Sequence, residues 1–368
     1  MIPPRLTPLA ASLPDTVPFV GPETQERAMG QKFAARLGAN ESGFGPSPAA
    51  VAAMTAAAED VWMYGDPEAH DLKAAIAAHH GVSPAHVVVG EGIDGLLGLT
   101  VRLLVGQEDV AVTSAGAYPT FNFHVAGFGG RLVRVPYLGD QEDPHALADA
   151  ARTQAAKMVY LANPDNPMGS WHPADTLTAM IRDLPEGTLL ILDEAYADLA
   201  PPGAIPVIDP DAPNVIRMRT FSKAHGLAGL RVGYALTNPA LAKAFDKVRN
   251  HFGLGRLAQS AAVAALGDQA HLAQVQAAVT AGRARIGAIA ASHGFAALPS
   301  ATNFVTLDCG RDGDFARRVL AQLAQRGVFV RMPGVAPLDR CIRVSVGPDA
   351  ALDAFAAALG PALKAVPL

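Results

Sequence analysis

The chain has 368 residues, half of them hydrophobic, and a formal net charge of −5. This length allows a large domain and a smaller one, and a net negative charge without a block of basic residues argues against a nucleic-acid partner. Its two cysteines form neither a disulfide framework nor a metal-ligand spacing, and its histidines near residue 80 lack accompanying carboxylates. We therefore expect a cytoplasmic protein with no metal. No apolar run reaches the roughly 18 residues that a membrane span needs.

The predicted elements divide the chain into three parts. Residues 1–40 resemble an arm that is rich in proline and has no strong periodicity. From 41 to 255, strands alternate with alanine-rich helical stretches, which is typical of a doubly wound sheet. Residues 256–368 are expected to hold a connecting helix and a smaller α+β domain. The predicted strands are 86–89, 110–113, 131–135, 158–162, 189–192, 215–219, 232–236, 303–307, 328–331 and 342–346.

The first candidate binding segment is a glycine-rich run at 90–95 with the pattern G-x-G-x-x-G. This pattern suggests a dinucleotide-binding loop, which also requires an acid at the end of the next strand. The acids next to the strand at 110–113, Glu108 and Asp109, stand before the strand rather than at its end. We therefore predict a helix that begins near Gly92 and offers the amides of Ile93 and Asp94 to a single phosphate.

Two further candidate segments follow predicted strands. The run Asn163–Gly169 contains two prolines and a glycine, so it should form a rigid loop that presents the Asn166 amide in one orientation. The apolar run 189–192 ends in Asp193, at the sheet edge where ligands collect. Such a strand also resembles that of a nucleotide hydrolase, but the required phosphate loop contains a Gly-Lys dipeptide and this chain has none.

The most informative segment is the run 219–231, which places Lys223 among hydroxyl groups and small residues. In so apolar a neighbourhood the pKa of a lysine can fall, and the free amine can attack a carbonyl to give a Schiff base. Thr220 and Ser222 can donate hydrogen bonds to a phosphate, and Arg231 can bind it with two. These groups together fit pyridoxal phosphate, an aldehyde that carries a phosphate.

Two acidic or phenolic groups upstream fit the same cofactor. Asp193 can pair with a protonated pyridine nitrogen and keep the ring an electron sink. Tyr196, three residues later, can donate a hydrogen bond to the phenolic oxygen of the ring.

In order and spacing, these residues resemble the cofactor site of the fold-type I aminotransferases, and the closer likeness is to the histidinol-phosphate aminotransferases. The likeness spans most of the chain. Its segments are 40–46, 64–68, 163–169, 193–196, 219–231 and 341–347. The resemblance implies a large doubly wound, mostly parallel α/β domain with a smaller α+β domain, and transamination between a small-molecule amino donor and a 2-oxo acid such as 2-oxoglutarate.

The resemblance also implies roles for matching residues. Lys223 would carry the cofactor and move the α-proton, with Asp193 and Tyr196 completing the catalytic group. Asn166 would join Tyr196 at the ring oxygen, and Phe121 would stack on the ring face. The phosphate would be bound by Gly92, Ile93, Asp94, Thr220, Ser222 and Arg231, together with Tyr64 from a neighbouring subunit. A shared site of this kind requires a homodimer.

Five residues match substrate-binding positions of the family. Arg343 would hold the α-carboxylate, Arg331 would contact the substrate's phosphate, and Asn40 would lie beside them. Two positions depart from the family pattern. Phe19 stands where the family has a tyrosine near the phosphate, and Arg256 lies where the family has a smaller polar residue, so it could instead select a side-chain carboxylate.

Other functions stay open at this point. Several phenylalanines could line an apolar pocket, which favours an aromatic amino acid aminotransferase. A pyridoxal-phosphate decarboxylase of the phosphothreonine type shares the fold and nearly all of these motifs. A cofactor-sensing transcription regulator would need a helix-turn-helix ahead of the domain, and residues 1–40 are too short and too proline-rich to hold one.

Overall fold

The structure, a computed structural model, describes residues 4–15, 19–207 and 209–366. Helices and strands alternate along most of this length. The helices are α1 (Pro8–Ser12), α2 (Pro22–Met29), α3 (Pro48–Ala57), α4 (His70–His80), α5 (Gly92–Leu104), α6 (Thr120–Gly127), α7 (Pro144–Thr153), α8 (Ala174–Asp183), α9 (Pro239–Ala244), α10 (Arg256–Gly267), α11 (Gln269–Ala291), α12 (Gly313–Gln325) and α13 (Asp349–Ala365). The strands are β1 (Ala35–Arg36), β2 (Val87–Gly90), β3 (Val110–Ser114), β4 (Arg131–Val135), β5 (Met158–Ala162), β6 (Leu189–Asp193), β7 (Val215–Thr220), β8 (Gly233–Leu236), β9 (Ala296–Ala297), β10 (Phe304–Asp308), β11 (Val328–Phe329) and β12 (Cys341–Ser345).

Seven strands form one large sheet in the order β2-β8-β7-β6-β5-β3-β4. β8 runs antiparallel to both of its neighbours, and the other adjacent pairs are parallel. β2 therefore points the same way as β7, and the carboxyl ends of β2, β5, β6 and β7 meet at one edge. That edge carries the residues from the glycine-rich, Asn163, Asp193 and lysine segments.

Both faces of the large sheet are buried. Every residue of β5 and β6 is buried, and successive apolar side chains enter two different apolar clusters. Tyr160 and Ile191 pack with α5 and α6 on one face, whereas Val159 and Leu190 pack with α7 and α8 on the other. This burial explains why the central strands are continuous apolar runs rather than alternating patterns.

A smaller antiparallel sheet, in the order β12-β10-β9, lies with α11, α12 and α13 around a separate apolar cluster. The short strands β1 and β11 pair in parallel beside it. α10 instead packs against α3 and α4 through its alanines. The smaller sheet matters for function because β12 carries Arg343 toward the large sheet's site.

The strands of the large sheet lie within one residue of their predicted bounds, so the α/β prediction is confirmed. Three details differ. The arm contains α2, which begins at Pro22 and is capped after Met29 by Gly30 with φ 70°, and it also contributes β1. β11 covers only part of the strand predicted at 328–331, and β9 was not predicted. Domain boundaries at 40 and 255 stay a prediction, and none of the helices described is long and apolar enough to cross a membrane.

Candidate active site

Lys223 lies just beyond the carboxyl end of β7, with its side chain largely enclosed. Its Nζ donates a hydrogen bond to the backbone carbonyl of Asn40 at 3.1 Å and lies 5.7 Å from the centre of the Tyr196 ring. Burial, reinforced by the positive charge of Arg343, lowers the pKa of Lys223 to about 8. The amine is therefore available in its uncharged, nucleophilic form far more often than that of an exposed lysine.

Asp193 ends β6 and is 5% exposed. Its Oδ2 accepts a hydrogen bond from the Tyr160 hydroxyl at 2.7 Å, and its Oδ1 accepts one from the amide of Ala195 at 2.9 Å. Burial raises the pKa of Asp193 to about 6, although these hydrogen bonds and Lys223 oppose the rise. No ion pair joins this carboxyl to a cation in the described part of the chain. A cationic ligand would therefore gain a buried partner here.

Asn40 joins three parts of the site. Its Nδ2 donates to the Tyr196 hydroxyl at 3.0 Å, and its Oδ1 accepts from the Ser345 hydroxyl at 3.0 Å. Its backbone adopts a left-handed conformation with φ 56°, which asparagine tolerates better than most residues. This conformation turns the carbonyl toward Lys223. Asn40 thus holds the lysine and the tyrosine in one arrangement.

A candidate phosphate cradle, formed by the first turn of α5 and Arg231, lies where α5 begins. Gly92 has φ 73°, and a Cβ at this position would lie 2.6 Å from Nη2 of Arg231. The glycine therefore keeps open the space between the first amides of α5, including those of Ile93 and Asp94, and the guanidinium. Arg231 itself has φ 53° and lies 3.7 Å from the Asp94 carboxylate. A helix amino terminus facing an arginine is an anion-binding arrangement.

Two hydroxyl groups border this cradle. Thr220 Oγ1 donates to Ser222 Oγ at 2.9 Å and accepts from the Ser222 amide at 3.0 Å. Both residues are buried, at the end of β7 and in the turn that leads to Lys223. Each predicted phosphate-binding residue of this subunit thus lies at the same edge of the large sheet.

The predicted stacking residue, Phe121, lies in the core instead. Its ring is fully inaccessible and stacks on Tyr160, with ring centres 5.1 Å apart, so it presents no free face to a ligand. Phe121 points inward because it shares the buried side of α6 with Val125. Tyr118, just before this helix, is a further aromatic residue at the site. Its hydroxyl donates to Asp94 at 3.1 Å, and burial together with Asp94 raises its pKa to about 12.

Arg343 lies on β12 and points at the Asn163–Gly169 loop. One of its nitrogens donates to the side-chain oxygen of Asn166, and Nη2 donates to the backbone carbonyl of Gly38 at 3.1 Å. Its Nε is buried without a hydrogen-bond partner among the residues that the structure describes. A buried guanidinium with an unused donor is suited to an incoming carboxylate or phosphate.

Arg331 pairs with Arg343 through the backbone. The two residues exchange amide–carbonyl hydrogen bonds of 3.2 and 2.6 Å in an isolated antiparallel bridge, so their side chains emerge side by side. Burial and the neighbouring Arg343 lower the pKa of Arg331 to about 10. Its guanidinium lies 3.6 Å from the centre of the Phe19 ring and donates to the backbone carbonyl of Val20. The arm thus reaches the arginine pair.

Tyr64 and Arg256 lie together on the surface, apart from the hydrogen bonds of the Lys223 group. Nη2 of Arg256 donates to the Tyr64 carbonyl at 2.9 Å, and the Tyr64 ring packs on Phe252 at 4.6 Å. Tyr64 is 76% exposed and nearby Trp62 is 80% exposed. A group of exposed aromatic residues is unusual on a protein surface and is typical of interaction sites.

Sequence reasoning missed three residues that hold the site together: Tyr160, Tyr118 and Ser345. A usable signal existed for Tyr160, since strand alternation puts it on the same sheet face as Asp193 in the neighbouring strand. Ser345 shares β12 with Arg343 two residues earlier, and the same alternation places both on one side of that strand.

The chain matches known proteins over nearly its whole length. The family model of the class I and II aminotransferases matches residues 35–359. A histidinol-phosphate aminotransferase of Anaeromyxobacter is 37% identical over 98% of this chain and 100% of its own length, and one of Moorella thermoacetica is 33% identical over 97% and 92%.

A solved structure gives the same result at higher identity. The histidinol-phosphate aminotransferase of Sinorhizobium meliloti, in complex with pyridoxal-5'-phosphate, is 57% identical to this chain, with a TM-score of 0.95 and 98% of each chain covered. An aspartate aminotransferase of Thermus thermophilus shares the fold at 21% identity, with a TM-score of 0.81 over 97% of this chain. The chain therefore belongs to the class I and II aminotransferase family and, within it, to the histidinol-phosphate aminotransferases.

Proposed function

We propose that the protein is a pyridoxal-phosphate-dependent aminotransferase that takes the amino group of histidinol phosphate and passes it to 2-oxoglutarate in two half reactions. The observation that carries this proposal is the buried amine of Lys223, whose pKa is lowered to about 8, beside the buried acid Asp193 and the anion cradle at Gly92. The names of the relatives and the cofactor in the Sinorhizobium meliloti structure support it.

The residues of the site fit this cofactor. The Gly92–Arg231 cradle, with Thr220 and Ser222 beside it, matches a phosphate in charge and in donor groups. Asp193 has no cation partner within the described chain, and a pyridinium nitrogen would supply one. When bound, pyridoxal phosphate supplies an electron sink that makes the α-proton of an amine substrate acidic.

The chain's own residues would do the remaining work. Lys223 Nζ binds the cofactor aldehyde covalently and, once released, moves the α-proton as a base and then as an acid. Tyr196 and Asn166 would orient the ring oxygen, and Asp193, held by Tyr160, would keep the pyridine nitrogen protonated. Tyr118, whose hydroxyl donates to Asp94, would cover the ring face in place of the fully buried Phe121.

The paired arginines explain how two different substrates share one site. Histidinol phosphate carries a phosphate ester on the carbon next to its amine-bearing carbon, where glutamate carries its α-carboxylate. Arg343 alone can bind the carboxylate, and Arg331 beside it supplies the second charge that a phosphate dianion needs. Phe19 contributes a ring over Arg331 but no hydroxyl. The aromatic ring packs on the guanidinium without competing for the phosphate oxygens.

Comparing amino donors tests the substrate. Purified protein with pyridoxal phosphate is assayed with histidinol phosphate, phenylalanine and glutamate as amino donors. The keto-acid acceptor in each assay differs from the keto product of that donor. We expect the highest kcat/KM for histidinol phosphate. A preference for phenylalanine would identify an aromatic amino acid aminotransferase, and carbon dioxide release without amino transfer would identify a decarboxylase.

The covalent link has its own test. Borohydride reduction of the protein with bound cofactor should attach the cofactor to the peptide that contains Lys223. Lys223→Ala protein should fold normally, resist this labelling and lack turnover. Labelling that persists at another lysine would contradict the proposal.

We further propose that the protein acts as a homodimer in the cytoplasm, with Tyr64 contributing its hydroxyl to the partner's phosphate cradle. An interface at this surface is supported by the exposed side chains of Tyr64, Trp62 and Phe252. It is also supported by the hydrogen bond from Arg256 that holds the Tyr64 backbone. Tyr64→Phe should weaken cofactor retention without dissociating the dimer, as measured by cofactor fluorescence and sedimentation. A monomer in solution at high protein concentration would rule out this arrangement.

A further inference from the structure

Glu194 follows Asp193 directly and is the second acid of the segment 193–196. The residue is 1% exposed, and its side chain is fully inaccessible to solvent. It belongs neither to the proposed cofactor contacts nor to the proposed substrate contacts. A carboxylate buried so deeply is costly unless other groups compensate its charge, so its place beside the site needs an explanation.

Two arginines of β7 compensate this charge. Nε and Nη2 of Arg217 both donate to Oε1 of Glu194, at 3.1 and 2.5 Å, and Nε of Arg219 donates to Oε2 at 3.0 Å. The two arginine side chains are themselves only 6% and 12% exposed. Among the residues that the structure describes, neither arginine forms an ion pair with another acid. These three side chains, which we call the Glu194 clamp, therefore form one buried unit.

The Glu194 clamp lies on the face of the large sheet opposite the candidate site. Asp193 extends from the face that carries Tyr160, whose hydroxyl donates to it. Glu194 is the next residue and extends from the other face, because successive side chains of a strand alternate. Arg217 and Arg219 are two residues apart on β7 and meet Glu194 on that face. The clamp therefore reaches the site through the backbone and not by direct contact.

Both ends of the Glu194 clamp adjoin a residue of the site in the chain. Glu194 comes directly after Asp193 at the end of β6, and its amide donates to the Met218 carbonyl of β7 at 2.8 Å. Arg219 comes directly before Thr220, which the proposed function assigns to the phosphate. The ion pairs thus join the ends of β6 and β7 at the point where both strands deliver their site residues.

The end of β7 is also in close contact with the phosphate cradle. Thr220 pairs with Gly233 of β8. A Cβ on Gly233 would lie 2.9 Å from the carbonyl oxygen of Arg219 and 3.0 Å from the carbonyl carbon of Gly92. The backbones of β7, β8 and the first turn of α5 are therefore packed together. In so dense an arrangement, a shift of the end of β7 displaces the cradle as well.

Stability alone is a weak reason for the Glu194 clamp. Each of its three ions loses its hydration on burial, and well-packed apolar residues of similar volume often stabilise a protein equally well. Hydrogen bonds between charged groups differ from apolar contacts in being directional and short, so they define the relative position of the groups that they join. The clamp is therefore suited to fixing one strand end against the other.

We propose that Glu194, Arg217 and Arg219 are positioning residues, which hold Asp193 and Thr220 at the separation that pyridoxal phosphate needs between its ring nitrogen and its phosphate. The consequence for cofactor binding rests on the proposed function, whereas the rigid connection between β6 and β7 does not. The two parts of the proposal are therefore tested separately, first without cofactor and then with it.

A triple variant, Glu194→Met/Arg217→Met/Arg219→Met, replaces the clamp with apolar side chains. The urea midpoint of the cofactor-free triple variant should stay close to that of wild type, because the lost ion pairs are offset by the hydration penalty that is no longer incurred. Arg317→Met is the matched control, since Arg317 forms an ion pair with Asp314 on the surface of α12.

Amide hydrogen exchange of the cofactor-free protein tests the connection between the strands. In the triple variant, the amides of residues 191–194 and 218–223 should exchange about tenfold faster than in wild type, as followed by mass spectrometry of their peptides. Arg317→Met should leave these peptides unchanged. Exchange at the wild-type rate in the folded triple variant would overturn the proposal.

A milder variant keeps the test decisive if the triple variant does not fold. Arg219→Met retains the ion pair between Glu194 and Arg217 and removes only the link beside Thr220. We expect exchange of residues 218–223 to become about threefold faster in this variant. Unchanged exchange there would contradict the positioning role in the same way.

Titration with pyridoxal phosphate tests the consequence for the site. The Kd of the triple variant should rise about tenfold, a loss of about 1.4 kcal/mol in binding, and that of Arg317→Met should stay at the wild-type value. A wild-type Kd in the triple variant would show that the clamp does not position the cofactor groups. If wild-type protein itself fails to bind pyridoxal phosphate, the proposed function is wrong, and hydrogen exchange alone decides whether the clamp joins the strands.

Discussion

The free amine of Lys223 is the property on which turnover depends most, and it can be measured without any substrate. Burial and the charge of Arg343 lower its pKa from the ordinary 10.5 to about 8. Replacing Arg343 with methionine keeps the burial but removes the charge. We therefore expect Arg343→Met to raise the pKa of Lys223 by on the order of one unit.

The magnitude follows from the shift. With a pKa of about 8, roughly one molecule in ten carries the free amine at pH 7, whereas an ordinary lysine would do so in roughly one molecule in 3,000. The environment thus enriches the nucleophile about 300-fold. Because the pKa is lowered in the folded protein, the reactive population increases as the pH rises through about 8. Arg343→Met should move that rise to higher pH.

Reductive methylation of the protein without cofactor measures this population. The extent of modification of the Lys223 peptide is followed by mass spectrometry over a range of pH, and exposed Lys157 serves as the internal reference for the reagent's own pH dependence. We expect the midpoint for Lys223 to lie near pH 8 and to move to higher pH in Arg343→Met protein. A midpoint for Lys223 near the ordinary value of 10.5, or no change in Arg343→Met protein, would refute the argument that burial and Arg343 activate Lys223.

Four further substitutions separate cofactor binding from stability. Asp193→Asn removes the buried negative charge and should weaken pyridoxal phosphate binding at least tenfold in a fluorescence titration, with the fold preserved by circular dichroism. Gly92→Ala puts a methyl group against Arg231 at a φ of 73°, so it should also release the cofactor more readily on dialysis. Phe121→Ala should lower the free energy of unfolding in urea by about 3–5 kcal/mol, whereas Tyr118→Phe should leave it nearly unchanged and speed cofactor loss.

The large sheet was predictable because its central strands are buried on both faces. Such strands must be short apolar runs, and each run ended in a residue that the structure brings to one edge, such as Asp193 after β6. The short strands β1 and β9 were not predictable, since two residues leave no periodicity to read. Their pairing depends on tertiary contacts rather than on local preference.

The site residues divide in the same way. Lys223 and Asp193 are chemically distinctive in their segments and were found. Phe121 was assigned to the cofactor although its spacing from Val125, four residues later, already indicates the buried side of a helix. Glu142 is 1% exposed and accepts hydrogen bonds from the Ser114 hydroxyl and the Ala162 amide, but it gave no signal in the sequence because it lies among other polar residues.

The backbone bridge between Arg331 and Arg343 has a consequence for how specificity can change. Two reciprocal main-chain hydrogen bonds fix the distance between the Cα atoms that carry these side chains. A substitution at either position therefore leaves that spacing unchanged. Acquiring a substrate with a longer or shorter acidic group would therefore require changes in the segment opposite, which here presents Phe19. Variation among otherwise similar enzymes should concentrate at that aromatic position, while the two arginines stay constant.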